Sequence, residues 1–194
     1  MSLMPVFDRF PKEAEIIGRI AIGYGELEID WTQCLGDVLG NFTIAASVMY
    51  RLRSEGNRFE VGDAILKPYY LGLKLDKEYD QAYSLLSRCK QIRNNHTHCQ
   101  WDDSGGNLFF TSLEESAKSR GHTSLEFHNI DMKLLIQQLA LFENCQLFLT
   151  YLHLEGRARR DQKKQTLLLK PKALQLPPVH NPKGTAPHYF QDKK

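Results

Sequence analysis

Residues 76–101 of the chain, DKEYDQAYSLLSRCKQIRNNHTHCQW, contain a helical pattern that ends in a run of polar side chains. At about 100° per residue, the apolar side chains of this segment fall on one stripe of a helix. The stripe consists of Tyr79, Ala82, Leu86 and Cys89. Arg93 continues it one turn later, where an apolar residue is expected. A guanidinium at such a position requires a charged partner or a cleft that water or another molecule enters. The pattern therefore predicts a binding site at the end of this helix.

The polar run also matches a short family motif. Arg93 and Asn94 are followed by three residues and then by His98, and Trp101 comes shortly after. An Arg-Asn-x-x-x-His motif at the end of an amphipathic helix resembles the HEPN superfamily of all-helical domains. Long helices are predicted on both sides of the motif, so the resemblance covers roughly residues 13–154.

The resemblance implies a metal-independent endoribonuclease with a composite site in a homodimer. In such an enzyme the ribose 2′-hydroxyl attacks the adjacent phosphate. Arg93 would stabilise the crowded phosphorane, because a guanidinium stays charged and can bind two phosphate oxygens. His98 would transfer protons, since the ordinary imidazole pKa of about 6.5 lies near neutral pH. Asn94 would orient the phosphate or the base. The resemblance also implies a toxin or defence effector, with an antitoxin protein as a partner.

Helical geometry makes a second histidine a candidate for the catalytic residue. Residues five apart on a continuous helix are about 140° apart around its axis. Arg93 and His98 therefore share a face only if the helix ends between them, which two consecutive asparagines at 94 and 95 allow. If the helix continues, His96 at the i+3 position is the natural partner of Arg93. We predict His98 as the catalytic histidine and keep His96 as the alternative.

Two other hypotheses compete with catalysis. One is a non-catalytic HEPN-like module that binds nucleotide, RNA or a protein partner. The other is purely structural and pairs Arg93 with a carboxylate of the first long helix. The candidates for that carboxylate are Glu26, Glu28 and Asp30.

The sequence predicts no metal, no cofactor and no membrane span. Nitrogen and sulfur ligands occur at Cys89, His96, His98 and Cys99, but their spacing matches no zinc pattern. No glycine-rich loop has the spacing of a phosphate-binding motif. No apolar run of the sequence is long enough to cross a bilayer. The four cysteines are scattered, which is typical of free thiols in a reducing cytoplasm.

The predicted fold is mainly α, a HEPN-like bundle of four to five helices with a small β-hairpin between the motif helix and the last long helix. The first helix opens at Pro11 and ends at Gly40-Asn41. Its heptad-like apolar seam predicts packing against another long helix, in this chain or in a second copy. The remaining predicted elements are helices over 41–53 and 59–66, strands over 108–113 and 123–127, and a last helix capped by Asn129 or Asp131.

Charge divides the chain into a predicted helical domain, residues 1–155, and a basic tail with several prolines, residues 156–194. From residue 155 onward there are ten Lys or Arg and three Asp or Glu, against fifteen and twenty before it. A basic tail can follow a phosphate backbone without recognising sequence. It can equally be a solvated extension, which is the usual role of a charge run.

Overall fold

The computed structural model describes residues 4–112, 126–162, 166 and 168–181. This part of the chain is mainly helical, with a small antiparallel sheet of three strands between the motif helix and the last helix. The elements are α1 (Pro5–Arg9), α2 (Pro11–Leu39), α3 (Phe42–Arg51), α4 (Glu55–Gly72), α5 (Asp76–Thr97), β1 (Gln100–Ser104), β2 (Asn107–Thr111), β3 (Phe127–Asn129) and α6 (Met132–Arg160). The mainly α class is confirmed, and a three-stranded sheet replaces the predicted two-stranded hairpin.

The chain forms two compact units, which are described separately. The sheet unit comprises residues 1–22, 89–141 and 176–194, and the helical unit comprises 23–88 and 142–175. Helices α2, α5 and α6 each contribute residues to both units. Helix α6 extends beyond residue 155 into the arginine-rich segment and ends at Arg160. A domain boundary at residue 155 stays a prediction.

Helix α2 follows its sequence pattern closely. It begins at Pro11 and ends at Leu39, and Gly40 then adopts a positive φ of 72°, a conformation that glycine reaches without strain. The seam is buried in the single chain, so a second copy is not needed to cover it. Its buried members are Ile17, Ile20, Tyr24, Leu27, Trp31 and Cys34.

Helix α4 differs most from the prediction. Residues 54–57 were expected to form a turn, but the Ser54 side chain accepts a hydrogen bond from the Asn57 amide at 3.4 Å and begins the helix. A stop before Pro68 was also expected, yet α4 continues through Pro68 to Gly72. Leu66 and Tyr70 are buried on either side of the proline. Burial of this face offsets the lost backbone hydrogen bond, so tertiary packing overrides the local signal.

The sheet contains a strand that the sequence pattern did not predict. Strands β1 and β2 are joined by Gly105 and Gly106, whose positive φ angles of 58° and 81° are typical of a two-residue hairpin turn. Strand β1 is the addition, because it lies before both of the strands predicted over 108–113 and 123–127. Strand β3 pairs with β2 on its other side. The predicted loop between the second and third strands falls within 113–125, outside the described residues.

An aromatic cluster holds α2, α4 and α5 together in the helical unit. The Trp31 ring stacks near Phe59 and Tyr79, with centroids 6.0 and 5.9 Å away. Gly62 allows α4 to approach this ring, because a Cβ there would lie 2.5 Å from the indole nitrogen. The Tyr79 hydroxyl donates to Asp63 at 2.7 Å. These contacts fix the first half of the helix that carries the predicted motif.

Candidate functional site

The predicted site lies at the C-terminal end of α5, which remains helical through Thr97. The His98 amide still donates to the Asn94 carbonyl at 3.0 Å, and the Thr97 hydroxyl donates to the Arg93 carbonyl at 2.9 Å. The backbone of His98 therefore keeps its helical position, about 140° from Arg93 around the axis. Within one chain the helix does not bring the two side chains onto one face.

His96 lies in the interior. Its side chain is 3% exposed, and Nε2 is 2.8 Å from the Gln138 Oε1 atom. Because the Gln138 amide nitrogen donates elsewhere, its oxygen faces His96 and the imidazole donates from Nε2. Burial lowers the pKa of His96 to about 4, and the bond to Gln138 only partly opposes this. His96 is thus a neutral core side chain near pH 7 and is not accessible to a substrate.

Gln138 connects His96 to the C-terminal strap, a name used here for residues 176–181. The amide nitrogen of Gln138 donates to the carbonyls of Pro178 and Val179 at 2.9 and 3.0 Å. Asn181 completes the attachment, since its backbone amide donates to Asn129 at 2.9 Å and its side chain donates to Asp131 at 2.8 Å. This part of the predicted tail is therefore tied to the sheet unit.

Trp101 has a structural role. Its indole nitrogen donates to the His96 carbonyl at 3.1 Å, which satisfies one of the free carbonyls at the end of α5. Its ring packs on Phe110 at 5.2 Å, its partner across the hairpin, and Phe110 packs on His128 of the next strand at 5.5 Å. The His180 ring of the strap stacks on His128 at 3.9 Å. These rings extend the core of the sheet unit below the motif.

The remaining motif residues reach solvent. His98 is exposed, and Arg93 and Asn94 are half-buried. Of the carboxylates proposed as structural partners for Arg93, Glu28 accepts a hydrogen bond from Arg58 at 3.0 Å. The motif histidine and the motif arginine are thus both accessible from outside, and His96 is not.

The described residues contain no group of three or more His, Cys, Asp or Glu side chains that could hold a metal ion. Cys89 is buried, and Cys99 donates to the His96 carbonyl at 3.6 Å. Burial raises the pKa of the Cys99 thiol to about 12, so this side chain is neutral. In the described part of the chain, every helix is too short or too polar to cross a bilayer.

A second candidate site, which the sequence analysis did not predict, lies in the helical unit. It is an open groove of about 460 Å³ between the end of α2, the start of α3 and the last turns of α6, called the α2–α3–α6 groove below. It is lined by Gln33, Gly36, Asp37, Gly40, Asn41, Phe42, His153, Arg157 and Arg160. Its volume lies within the range of small-molecule sites.

Local sequence explains how the groove is built. A Cβ at Gly36 would lie 3.0 Å from the Phe42 Cα, so this glycine lets the start of α3 approach α2. Gly40 makes the turn between the two helices, and Asn41 caps α3 by accepting from the Ile44 amide at 3.2 Å. The groove therefore contains the positive end of a helix.

Asp37 is the centre of the groove's charged groups. Its Oδ2 atom is 2.7 Å from His153 Nδ1, and its Oδ1 atom is 4.0 Å from Arg157 Nε. The Arg160 guanidinium donates to the Asp37 carbonyl at 3.3 Å. The close Asp37–His153 contact is off the direction of a well-formed hydrogen bond, and both atoms are shielded without an aligned partner among the described residues. A signal in the sequence was available, because the last helix ends in three arginines.

Comparisons with family models, with curated proteins and with solved structures found no match to this chain. A functional assignment therefore rests on the chain's own residues. Two sets are available, the solvent-facing motif at the end of α5 and the charged α2–α3–α6 groove.

Proposed function

We propose that this protein is a HEPN-like, metal-independent endoribonuclease whose site is formed by two copies of the chain. One observation carries the proposal. Of the two histidines in the polar run, the one that the motif selects, His98, is exposed, and the alternative, His96, is a buried neutral side chain. The accessible residues of the segment are thus the ones whose chemistry suits RNA cleavage.

The proposed step balances without a metal. A base removes the proton of the ribose 2′-hydroxyl, the oxygen attacks phosphorus, and the 5′-oxygen of the next nucleotide leaves with a proton from an acid. The products carry a 2′,3′-cyclic phosphate and a 5′-hydroxyl. At each site His98 of one copy removes the 2′-hydroxyl proton and returns a proton to the leaving 5′-oxygen, and Arg93 of the other copy stabilises the charge on the equatorial oxygens of the phosphorane.

A second copy is needed because of the angle between the two side chains. If Arg93 and His98 are about 140° apart on one helix, a two-fold axis beside the end of α5 can bring Arg93 of one copy near His98 of the other. The proposal therefore includes a homodimer. A toxin or defence role and an antitoxin partner follow only from the resemblance, and a cytoplasmic location follows only from the scattered cysteines; all three stay predictions.

The same angle favours a second candidate function, a non-catalytic HEPN-like module that binds RNA, nucleotide or a protein partner. In that case Arg93 contacts an anionic group alone, and His98 contributes little. The two candidates differ in what a histidine substitution does, since only the enzyme requires a proton-transfer group.

Cleavage of labelled RNA in EDTA tests the enzyme. We expect 2′,3′-cyclic phosphate ends from the wild type and a loss of about a hundredfold or more in Arg93→Ala and in His98→Ala. Gln91→Ala, an exposed change two residues before Arg93, is the matched control and should retain activity. Binding without cleavage that is insensitive to His98→Ala would instead identify the module.

Mixing the two inactive variants tests the composite site. If Arg93 and His98 of different copies form each site, the exchanged mixture should recover about a quarter of wild-type activity, because half of the dimers are mixed and each mixed dimer has one complete site. No recovery, with heterodimers detected by native mass spectrometry, would exclude the composite site even if the wild type cleaves RNA.

A further inference from the structure

We infer that the α2–α3–α6 groove is a second ligand site, which takes a small phosphate monoester that carries a flat ring. The inference does not depend on the proposed ribonuclease. It rests on three features that the groove brings together: cationic side chains, the N-terminal end of a helix and an exposed aromatic ring.

The cationic side chains of the groove suit a phosphate dianion. Arg157 and Arg160 line the groove from the last turns of α6, with side chains that are 51% and 40% exposed. His153 lies one turn before Arg157 on the same helix. A guanidinium can bind two phosphate oxygens at once, and an exposed guanidinium can be reoriented at little cost.

Two carboxylates face these cations. Asp37 contacts both His153 and Arg157, so its charge is compensated inside the groove. Asp161 is paired with Arg160 at 3.0 Å, but this ion pair is at the surface and contributes little stability. A phosphate can therefore displace Asp161 from Arg160, and Asp37 keeps His153 in position from the other side.

The groove also suits a flat ring. Phe42 lines the groove from the first residue of α3, and its side chain is 48% exposed. A large aromatic side chain with half its surface open to a polar groove is available for stacking on a planar ligand group. The side chains of Gln33 and Asn41 are also exposed in the groove and can form hydrogen bonds to the ring's edge.

The structure of α3 strengthens the phosphate assignment. The helix is ten residues long and has its capped N-terminus in the groove, so its dipole favours an anion there. Asp37 Oδ2 and His153 Nδ1 are shielded polar atoms without an aligned hydrogen bond among the described residues. Buried polar atoms in a native protein are normally satisfied, and a phosphate oxygen in the groove can accept a hydrogen bond from the His153 ring.

Calorimetric titration of the purified full chain tests the inference. The probes are the four common nucleoside monophosphates, phenyl phosphate, inorganic phosphate and adenosine. We expect at least one ring-bearing monoester to bind ten times more tightly than inorganic phosphate or adenosine. A preference for a nucleotide over phenyl phosphate identifies the ring as a nucleobase, and the reverse preference identifies a smaller aryl group. If neither kind of monoester exceeds inorganic phosphate, the inference is wrong.

Variants locate the binding in the groove. Arg157→Gln with Arg160→Gln should weaken the best monoester at least tenfold, and Phe42→Ala should weaken it several-fold but leave inorganic phosphate unchanged. Arg51→Gln removes an exposed arginine from the other end of α3 and is the matched control. An equal loss in the control would show non-specific attraction of anions and would overturn the inference.

Two further measurements keep the outcomes separate. Each groove variant should have the melting temperature of the wild type, because the replaced side chains are exposed. This result would show that a loss of binding is not a loss of folding. Arg93→Ala and His98→Ala should bind the monoester like the wild type. If they lose it as well, the ligand occupies the proposed ribonuclease site instead, and the groove inference is wrong.

Discussion

The end of α5 and the α2–α3–α6 groove contain similar side chains but are assembled in opposite ways. In the first, six consecutive polar residues, 93–98, lie next to one another in the sequence. In the second, Asp37 and Arg160 are 123 positions apart and meet across two helices. The dense sequence cluster is distributed around a helix, and the scattered residues converge on one groove.

The comparison shows that proximity in sequence is a weak indicator of a site on a continuous helix. Each residue turns the side-chain direction by about 100°, so neighbours face different surroundings. His96 faces the core and an amide, and His98 two residues later faces solvent. His153, in the groove, faces a carboxylate and two arginines. The partner, rather than the residue type, determines which histidine can take part in chemistry.

The largest expected effect on stability comes from removing the hydrogen bond between Gln138 and His96 on the buried face of α5. Gln138→Leu leaves the buried His96 imidazole without a partner and removes two hydrogen bonds to the partly exposed carbonyls of Pro178 and Val179. At about 1–3 kcal/mol for the unsatisfied buried group and about 1 kcal/mol for each of the other two bonds, we expect a loss of about 4 kcal/mol in the free energy of unfolding. Chemical denaturation measures it.

The adjacent glutamine is a matched control for this change. Gln137 is exposed on the same helix, so Gln137→Leu should change the free energy of unfolding by less than about 0.5 kcal/mol. Limited proteolysis should show earlier cleavage in the C-terminal strap of Gln138→Leu alone. Equal stability of the two leucine variants would mean that His96 is not held in the core by Gln138.

Two arginines at the end of α6 should differ in their contribution to stability, because they have different partners. Arg159 donates to the carbonyls of Leu73 and Lys74, just after the end of α4, at 2.9 and 2.7 Å. It also donates to the buried Glu155 carboxylate at 2.8 Å. Arg159→Met should therefore cost about 3 kcal/mol, since it leaves a buried charge unpaired. Arg157→Met, a change to the exposed groove arginine, should cost under about 0.5 kcal/mol.

A double variant separates charge from packing in this prediction. Adding Glu155→Gln to Arg159→Met removes the unpaired carboxylate and should recover part of the lost free energy of unfolding. If the double variant is less stable than Arg159→Met, then the Thr166 amide, which donates to Glu155 at 3.1 Å, matters more than the unpaired charge.

The sequence predicted the helices wherever local and tertiary signals agree. Pro11 and Gly40 bound α2, Asn41 caps α3, and the Asp131 side chain caps α6 by accepting from the Leu134 amide at 2.7 Å. Prediction failed where packing overrides local preference. Pro68 lies inside α4 because the helix buries Leu66 and Tyr70 on either side of it. The burial of these two side chains cannot be read from the neighbouring residues in the sequence.

The candidate sites show the same limit. Arg93 and His98 could be chosen from a motif, because a motif is local. The position of His96 could not, since its burial depends on Gln138 and on Trp101, which approach from other elements. Apart from the arginines that end α6, the groove has no local signal, because Asp37, Asn41 and His153 acquire a shared environment only after α2, α3 and α6 pack.

The pH dependence of stability tests whether His96 is the interior histidine. Its pKa is lowered from 6.5 to about 4 on folding, so the unfolded chain binds more protons between these values and stability falls as the pH falls. Between pH 7 and pH 5 this single group should remove about 2 kcal/mol from the free energy of unfolding.

The test compares His96→Gln, which can still form a hydrogen bond to Gln138, with the wild type at both pH values. The variant should lose about 2 kcal/mol less than the wild type on acidification. Gln91→Ala keeps His96 and should behave like the wild type. The same acid dependence in His96→Gln as in the wild type would show that His96 is charged or solvated in the folded state.

The smallest effect on stability is expected in the groove itself. Asp37 and His153 are 2.7 Å apart with side chains 14% and 20% exposed, and their contact is poorly aligned. A hydrogen-bonding contact contributes about 1 kcal/mol net, and less when it is poorly aligned, so Asp37→Asn and His153→Gln should each change the free energy of unfolding by about 1 kcal/mol or less. A double-variant cycle would measure the coupling between them. A coupling well above 1 kcal/mol would make the pair a structural element like His96 and Gln138. A small coupling, together with altered monoester affinity in both single variants, would mean that these side chains are arranged for a ligand rather than for the fold.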